Sequence, residues 1–339
     1  MLFYIFLLSI ISCSSPDLSK LDKTDHFDGD VFFNPNVDME KSFSDMFSFF
    51  TGDKEAWPEW VEINQKNPFI NDLDNNSTRV TFINHASVLI ETSGLNIITD
   101  PIYSERTSPV SFAGPKRHKL PGVSFDNLPK IDFILISHNH YDHMDLPTIN
   151  RLVERDKSTI LIGLGNCYYL DNRISKFCRE LDWKNTFTKN DVEITFVEVQ
   201  HWSKRGLFDR NKALWGGFVI DGTHKIYFGG DTGYGDHFEA TALDHKLIDL
   251  SILPIGAYEP RWFMKKAHMN PMDALKAHSD LNSNKSLGIH HGTFQLTYEK
   301  MKDPIKQIKS LDPSGKFIIL ENGGSLIMKG SPVQYEISN

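Results

Sequence analysis

The chain of 339 residues is 40% hydrophobic, 12% aromatic and 24% charged, proportions of a packed body that exclude a disordered, collagen-like or coiled-coil chain. With 44 acidic against 36 basic residues the net charge is −8, so bulk electrostatics offer nothing to nucleic acid, and an anionic substrate must be met locally. Of three cysteines, Cys13 lies in the leader, and Cys167 and Cys178 are too few for a disulfide framework but leave room for one bridge.

The chain opens on LFYIFLLSII (2–11), far short of the ~20 residues that cross a bilayer as a helix. The run reads as a signal over residues 1–12, although no Lys or Arg precedes it. Ile10-Ile11-Ser12-Cys13 resembles the bacterial lipoprotein box, in which cleavage exposes the cysteine for lipidation, so the mature chain is expected to start at Cys13. The expected location is the bacterial cell envelope, lipid-anchored. Ser14 follows the cysteine where inner-membrane lipoproteins often carry aspartate, which favours the outer membrane. Residues 13–76 read as a tether and N-terminal extension without strand alternation. Within it Phe43, Met46, Phe47, Phe49 and Phe50 recur at helical spacing, followed by Trp57 and Trp60. That segment is expected to pack on the main body, with part of it touching lipid or lining a lipid-accepting cleft.

From residue 77 to 339 the pattern changes to short apolar strands between turns. RVTFINHASVLIET (79–92), LNIITDP (95–101), KIDFILISH (130–138), STILIGLG (158–165), VEITFVEVQH (192–201), FVIDGTHKIYFGGD (218–231) and LIDLSILPIG (247–256) come in turn, Asp221-Gly222 reading as a hairpin turn. A helix is expected to open at Asn270-Pro271 with Asp273 in its first turn, then a strand in KSLGIHHGTF, then a helix over TYEKMKDPIKQIKSL (297–311). Several strands stop at a histidine or aspartate, which builds a site along one sheet edge.

Ser137-His138-Asn139-His140-Tyr141-Asp142-His143 follows the buried strand KIDFILI. Three imidazoles and a carboxylate suit Zn²⁺ and related metals, whereas burying them without a metal would leave polar groups unsatisfied. Four ligands from one loop do not complete two metal shells, so further ligands are expected at later strand ends. His201, Asp231 and His290 stand at such places. The expected grouping is His138, His140 and His201 on one metal, Asp142, His143 and His290 on the other, and Asp231 bridging.

This series resembles the metallo-β-lactamase superfamily, and the resemblance implies an α/β fold, a four-layer αββα sandwich with a dinuclear zinc site at one edge. The blocks TDPIYSERTSP, GPKRH, LISHNHYDHMD, QHWSKRGLFDRNKALWGGF, FGGDTGYGDHF, LPIGAYEPRWFMKKAH and IHHGTF look like the N-acylphosphatidylethanolamine-specific phospholipase D family over about residues 79 to 330. His291 stands where that family tends to have tryptophan. The resemblance implies substrate-binding roles for Tyr141 and His268, two Zn²⁺ per chain and a homodimer. It implies release of N-acylethanolamine, leaving phosphatidic acid, by a metal-bridging hydroxide that Asp231 orients, with His268 on the phosphate or as general acid.

Around these, Lys204-Arg205 and Lys116-Arg117-His118 are expected either to attract phosphate headgroups or to be solvated loops. Arg261-Trp262-Phe263-Met264-Lys265-Lys266 fits an interfacial loop or a packed one, and His85 is expected to be a core hydrogen-bonding histidine. No GxxxxGK[ST] or GxSxG occurs, which removes nucleotide-triphosphatase and serine-hydrolase readings. The competing readings are a hydrolase of the same fold acting on a lactone or soluble phosphodiester, and a non-catalytic zinc-binding lipoprotein. Seven ligands exceed the four of a closed structural site, which argues against the latter.

Overall fold

An apolar run with no polar alternation, such as that of KIDFILI, needs cover on both faces of its sheet. The computed structural model, which describes residues 15–67, 69, 73–74 and 76–339, supplies that cover with two sheets packed face to face and helices outside them. The apolar leader and Cys13, with the lipid attachment expected there, lie outside the described residues.

The first sheet comprises β1 (Ser77–Asn84), β2 (Ser87–Thr92), β3 (Leu95–Thr99), β4 (Phe133–Ile136), β5 (Thr159–Gly163) and β6 (Cys178–Leu181). The second comprises β7 (Thr186–Lys189), β8 (Val192–Val197), β9 (Gly217–Asp221), β10 (Lys225–Phe228), β11 (Ile248–Pro254), β12 (Ser283–Ile289) and β13 (Phe317–Ile318). The chain then returns to the first sheet with β14 (Ser325–Lys329) and β15 (Gln334–Ser338), giving the orders β15-β14-β1-β2-β3-β4-β5-β6 and β13-β12-β11-β10-β9-β8-β7. The α-helices among the described residues are α1 (Phe43–Thr51), α2 (Leu146–Asp156), α3 (His237–His245), α4 (Arg261–Met264), α5 (Pro271–Asp280) and α6 (Asp303–Leu311). Among the described residues no helix is long and apolar enough to cross a membrane.

Strand alternation sorts the side chains into layers. Phe133 and Leu135 join Val80, Phe82, Phe196, Phe218 and Ile252 in the core between the sheets. Ile134 and Ile136 face the other way and pack with Ile149, Leu152 and Val153 of α2. On the far side Val219, Tyr227 and Leu253 pack with Phe238, Ala274, Ala277 and Ile308 from α3, α5 and α6. This is the αββα sandwich.

Helix α5 opens at Asn270-Pro271, where the Asn270 side chain and Asp273 form a reciprocal capping box. The helix expected over 297–311 begins only at Asp303. Pro304 sits in its first turn, and upstream Glu299 turns inward to accept hydrogen bonds from the Ala257 amide at 2.6 Å and the Thr297 hydroxyl at 2.6 Å. The tether expected after Cys13 is short, since Pro16 is already buried and Leu18, Phe27 and Phe32 belong to the core between the sheets. Cys167 and Cys178 form a disulfide between β5 and β6.

Candidate metal centre

Strand β4 stops at Ile136, and the turn that follows carries His138, His140, Asp142 and His143 to one end of the sandwich. His138 Nε2 lies 2.8 Å and His201 Nε2 3.3 Å from His140 Nδ1. Beside this trio a second group forms, in which Asp142 Oδ2 is 3.3 Å from both His143 Nε2 and His290 Nε2. Asp231 stands between the two groups. Its Oδ2 is 3.1 Å from His143 Nε2 and 4.0 Å from His201 Nε2, and its Oδ1 is 3.2 Å from His290 Nε2. The seven residues singled out from the sequence thus meet in one cluster, although they come from four separate segments.

The outward nitrogens explain why the inward ones are free to bind. Ser137 Oγ donates to Asp100 Oδ2 at 2.6 Å, so it accepts from His138 Nδ1 at 2.9 Å. Nδ1 of His143 donates to Asp100 Oδ2 at 2.7 Å, and Nδ1 of His201 to the Ala267 carbonyl at 3.0 Å. Each bond fixes the tautomer and aims an Nε2 lone pair into the cluster. His143 Nε2 and Asp231 Oδ1 are buried with no hydrogen-bond partner among the described residues. Converging acceptors left unsatisfied in this way fit divalent cations.

Burial drives the His138 and His201 imidazoles well below the usual histidine range and His140 down to about 4, which keeps all three neutral, the form that ligates. Burial pushes the Asp142 and Asp231 carboxyls up, but His143 and its neighbours outweigh it and hold both well below the ordinary carboxylate range. Both are therefore anionic. His143 and His290 respond in the opposite sense to this acidic surrounding, which outweighs their burial and raises His290 to about 9.

The backbone that delivers these groups is itself unusual. His85, Asp100 and His290 adopt left-handed φ of 48°, 35° and 60°, a conformation costly for residues with a Cβ and concentrated at functional sites. Gly230 has φ 57°, and a Cβ there would lie 2.4 Å from that of Ser137, so only glycine lets Asp231 approach the β4 turn.

His268, which follows α4, is buried. Its Nδ1 is 3.8 Å from Asp231 Oδ2 with no hydrogen-bond partner among the described residues. Burial lowers its pKa to about 4. Tyr141 is half-buried, its hydroxyl donating to the Arg205 carbonyl at 2.8 Å beneath that guanidinium. His85 is a buried hydrogen-bonding histidine whose partner is a member of the cluster, Asp142 Oδ2 at 2.9 Å.

The basic knots expected to attract headgroups are mostly committed elsewhere. Arg205 donates to the Asn139 and Met144 carbonyls, and buried Arg117 donates to those of Ile102 and Ser104. Lys116 pairs with Glu105 at 3.0 Å, and His118 Nδ1 bonds the Pro58 carbonyl. Sequence reasoning gave no role to Asp100. It directly follows β3, the parallel neighbour of β4, and a strand stopping before Asp-Pro was the available signal. Asn34, whose side chain bonds the His201 backbone in both directions, carries no such signal.

Residues 95–291 match the family described as Beta-lactamase superfamily domain. The chain is 38% identical over 245 residues to N-acyl-phosphatidylethanolamine-hydrolyzing phospholipase D 1 of Caenorhabditis elegans, covering 68% of each chain. It is 34% identical over 233 residues to the mitochondrial N-acyl-phosphatidylethanolamine-hydrolyzing phospholipase D of Saccharomyces cerevisiae, covering 66% of this chain and 50% of that one. Among solved structures, the isothiocyanate hydrolase from Delia radicum gut bacteria superposes with a TM-score of 0.57 at 18% identity, covering 73% of this chain and 97% of that one. At that identity the likeness speaks for the fold alone.

Proposed function

The chain belongs to the metallo-β-lactamase superfamily and, within it, to the N-acyl-phosphatidylethanolamine-hydrolyzing phospholipase D-like family, and on that premise we propose that this metal-dependent hydrolase cleaves N-acylphosphatidylethanolamine at a membrane surface. Water adds to phosphorus and the bond from phosphorus to the ethanolamine oxygen breaks. N-acylethanolamine leaves with a proton and phosphatidic acid remains.

The observation that carries the reading is an exposed apolar face beside the metal centre. Phe43, Phe47 and Phe50 of α1 are 84%, 61% and 74% exposed, and Trp262 of α4 is 56% exposed. Phe49 stacks on Phe263 at 4.4 Å and anchors that face on α4, which leads directly into His268. Lys265 and Lys266 stand between Trp262 and His268 and add positive charge near the same edge. A lipid anchor at Cys13 would hold this face at the bilayer. The wild-type Cys167–Cys178 disulfide agrees with an envelope location outside the reducing cytosol.

His138, His140 and His201 would hold one Zn²⁺, Asp142, His143 and His290 a second, and Asp231 would reach both. When bound, such a pair supplies Lewis acidity toward a phosphoryl oxygen and lowers the pKa of water. The protein's own contribution begins with Asp100 and Ser137, which fix the ligand tautomers. Neutral His268 holds a proton that it can present to a phosphate oxygen or to the departing alkoxide. Tyr141 keeps the Arg205 loop in place at the rim and meets substrate only through an exchange of its present hydrogen bond.

The test is mass spectrometry of products from N-acylphosphatidylethanolamine in mixed micelles with the zinc-loaded protein. Equal amounts of N-acylethanolamine and phosphatidic acid are expected. Cleavage of a lactone or soluble phosphodiester with no lipid product would overturn the substrate assignment.

A further inference from the structure

The N-terminal extension does more than cover the sandwich. Between Thr24 and Met39 it runs as a strap along the loop 200–212, which carries His201, Trp202 and Arg205. Phe32 donates its backbone amide to the Asn211 carbonyl at 2.9 Å, and Asn211 in turn donates to the Ser203 carbonyl at 2.8 Å. Arg210 donates back to the Met39 carbonyl at 3.2 Å, and Lys212 pairs with Asp30. The strap is secured by Phe27 and Phe32, both in the core between the sheets, and by His26, which bonds Asp182 at 2.8 Å.

At its centre lies Asn34. Its Nδ2 donates to the His201 carbonyl at 2.7 Å, and its Oδ1 accepts from the His201 amide at 3.2 Å. The side chain is nine-tenths buried, so water does not readily replace either bond. With Nδ1 of His201 held by the Ala267 carbonyl, the backbone on both sides of the residue and one ring nitrogen are fixed. Nε2 is the one polar atom of His201 left facing the cluster, where it lies 3.3 Å from His140 Nδ1.

We propose that Asn34 is a positioning residue for the metal centre, through which the N-terminal strap sets the place of His201. The inference rests on reading His201 as a metal ligand. A clamp of this kind selects affinity and geometry, because a ligand free to shift loses metal without losing the fold. It also makes the extension part of the site, although no strap residue reaches the metal cluster itself.

The test uses cobalt(II) as the probe on the full chain, with affinity measured by chelator competition and geometry by the visible absorption spectrum. Asn34→Ala is expected to weaken cobalt binding about 10- to 100-fold and to change the spectrum. Asn34→Asp keeps shape and one acceptor but loses the donor to the His201 carbonyl. It is expected to act in the same direction and serves where the alanine variant does not fold. Ile308→Val, in the outer layer with α5 and away from the strap, is expected to lower Tm while leaving cobalt affinity unchanged. Wild-type affinity and spectrum in both Asn34 variants would overturn the proposal, as would an equal affinity loss in Ile308→Val. His201→Ala separates the two readings. If it keeps full cobalt affinity, the ligand assignment has failed and not the clamp.

Discussion

Asp231 is the residue that joins the two histidine groups of the cluster, since its two oxygens approach His143 and His290 at 3.1 and 3.2 Å while also facing His201 and His268. Asp231→Asn keeps the shape but removes the charge and one acceptor. Turnover is expected to fall by at least about a hundredfold with little change in the Tm of the metal-free protein, as read by product formation and calorimetry in parallel. Unchanged turnover would refute the shared-ligand role. At this scale the sequence was most legible where ligands are contiguous. His138 to His143 announce themselves by spacing, and His201, Asp231 and His290 by their places after strands. Asp100, His85 and Asn34 were not assigned to the centre because their partners are distant in sequence. Each acts through a side-chain bond to another site residue, and no periodicity encodes that.

Among the elements, α1 isolates one property. Its Ser42 capping box holds the helix at its start, while Phe47 and Phe50 point mostly into solvent. The double variant Phe47→Ser, Phe50→Ser is expected to lower binding to anionic phospholipid vesicles by about tenfold or more without lowering Tm. Co-sedimentation equal to wild type would remove α1 from the membrane surface. The strap offers a pH test. Burial opposes the charge on His26, but Asp182 and Asp25 outweigh it and raise its pKa above the ordinary value, with Glu198 and Lys184 also nearby. A raised histidine pKa adds stability that is fully present below the unfolded value of about 6.5 and is lost as pH climbs through the folded value. The Tm advantage of wild type over His26→Gln should therefore be largest near pH 6 and shrink toward pH 9. A gap constant across that range would assign His26 to packing alone. The long apolar strands and α5 were readable because periodicity and capping agree there. Strands β6 and β7 are short and largely polar, and α6 starts late because Glu299 is recruited to a loop, a choice that tertiary structure makes.

For the molecule as a whole, the disulfide ties down the connection between β5 and β6 at the edge of the first sheet. Closing a loop of this length is worth about 3 kcal/mol. Reduction is expected to lower Tm by about 5–10 °C, measured with and without reductant on the metal-loaded protein, and an unchanged Tm would assign the bridge no stabilising role. The four-layer architecture was legible from the order of strands and helices and from strands apolar on both faces. Packing of the aromatic segment on the main body was expected from its apolar spacing, but where residues 18–67 dock was not legible, because an irregular segment shows no period and its contacts are specified by surfaces elsewhere.

Strand β1 pairs with β14, Ser77 opposite Lys329, so the partners lie about 250 positions apart, and such non-local pairing is slow to form. One edge of the first sheet, the side where β14 and β15 add to β1, therefore stays unfinished until nearly the whole chain is available, and His290 arrives only shortly before that. A chain still emerging from the ribosome holds six of the seven clustered residues and lacks His290, so the cluster is incomplete. Metal capture by the complete cluster would then be a late event, waiting on the last fifty residues of the chain.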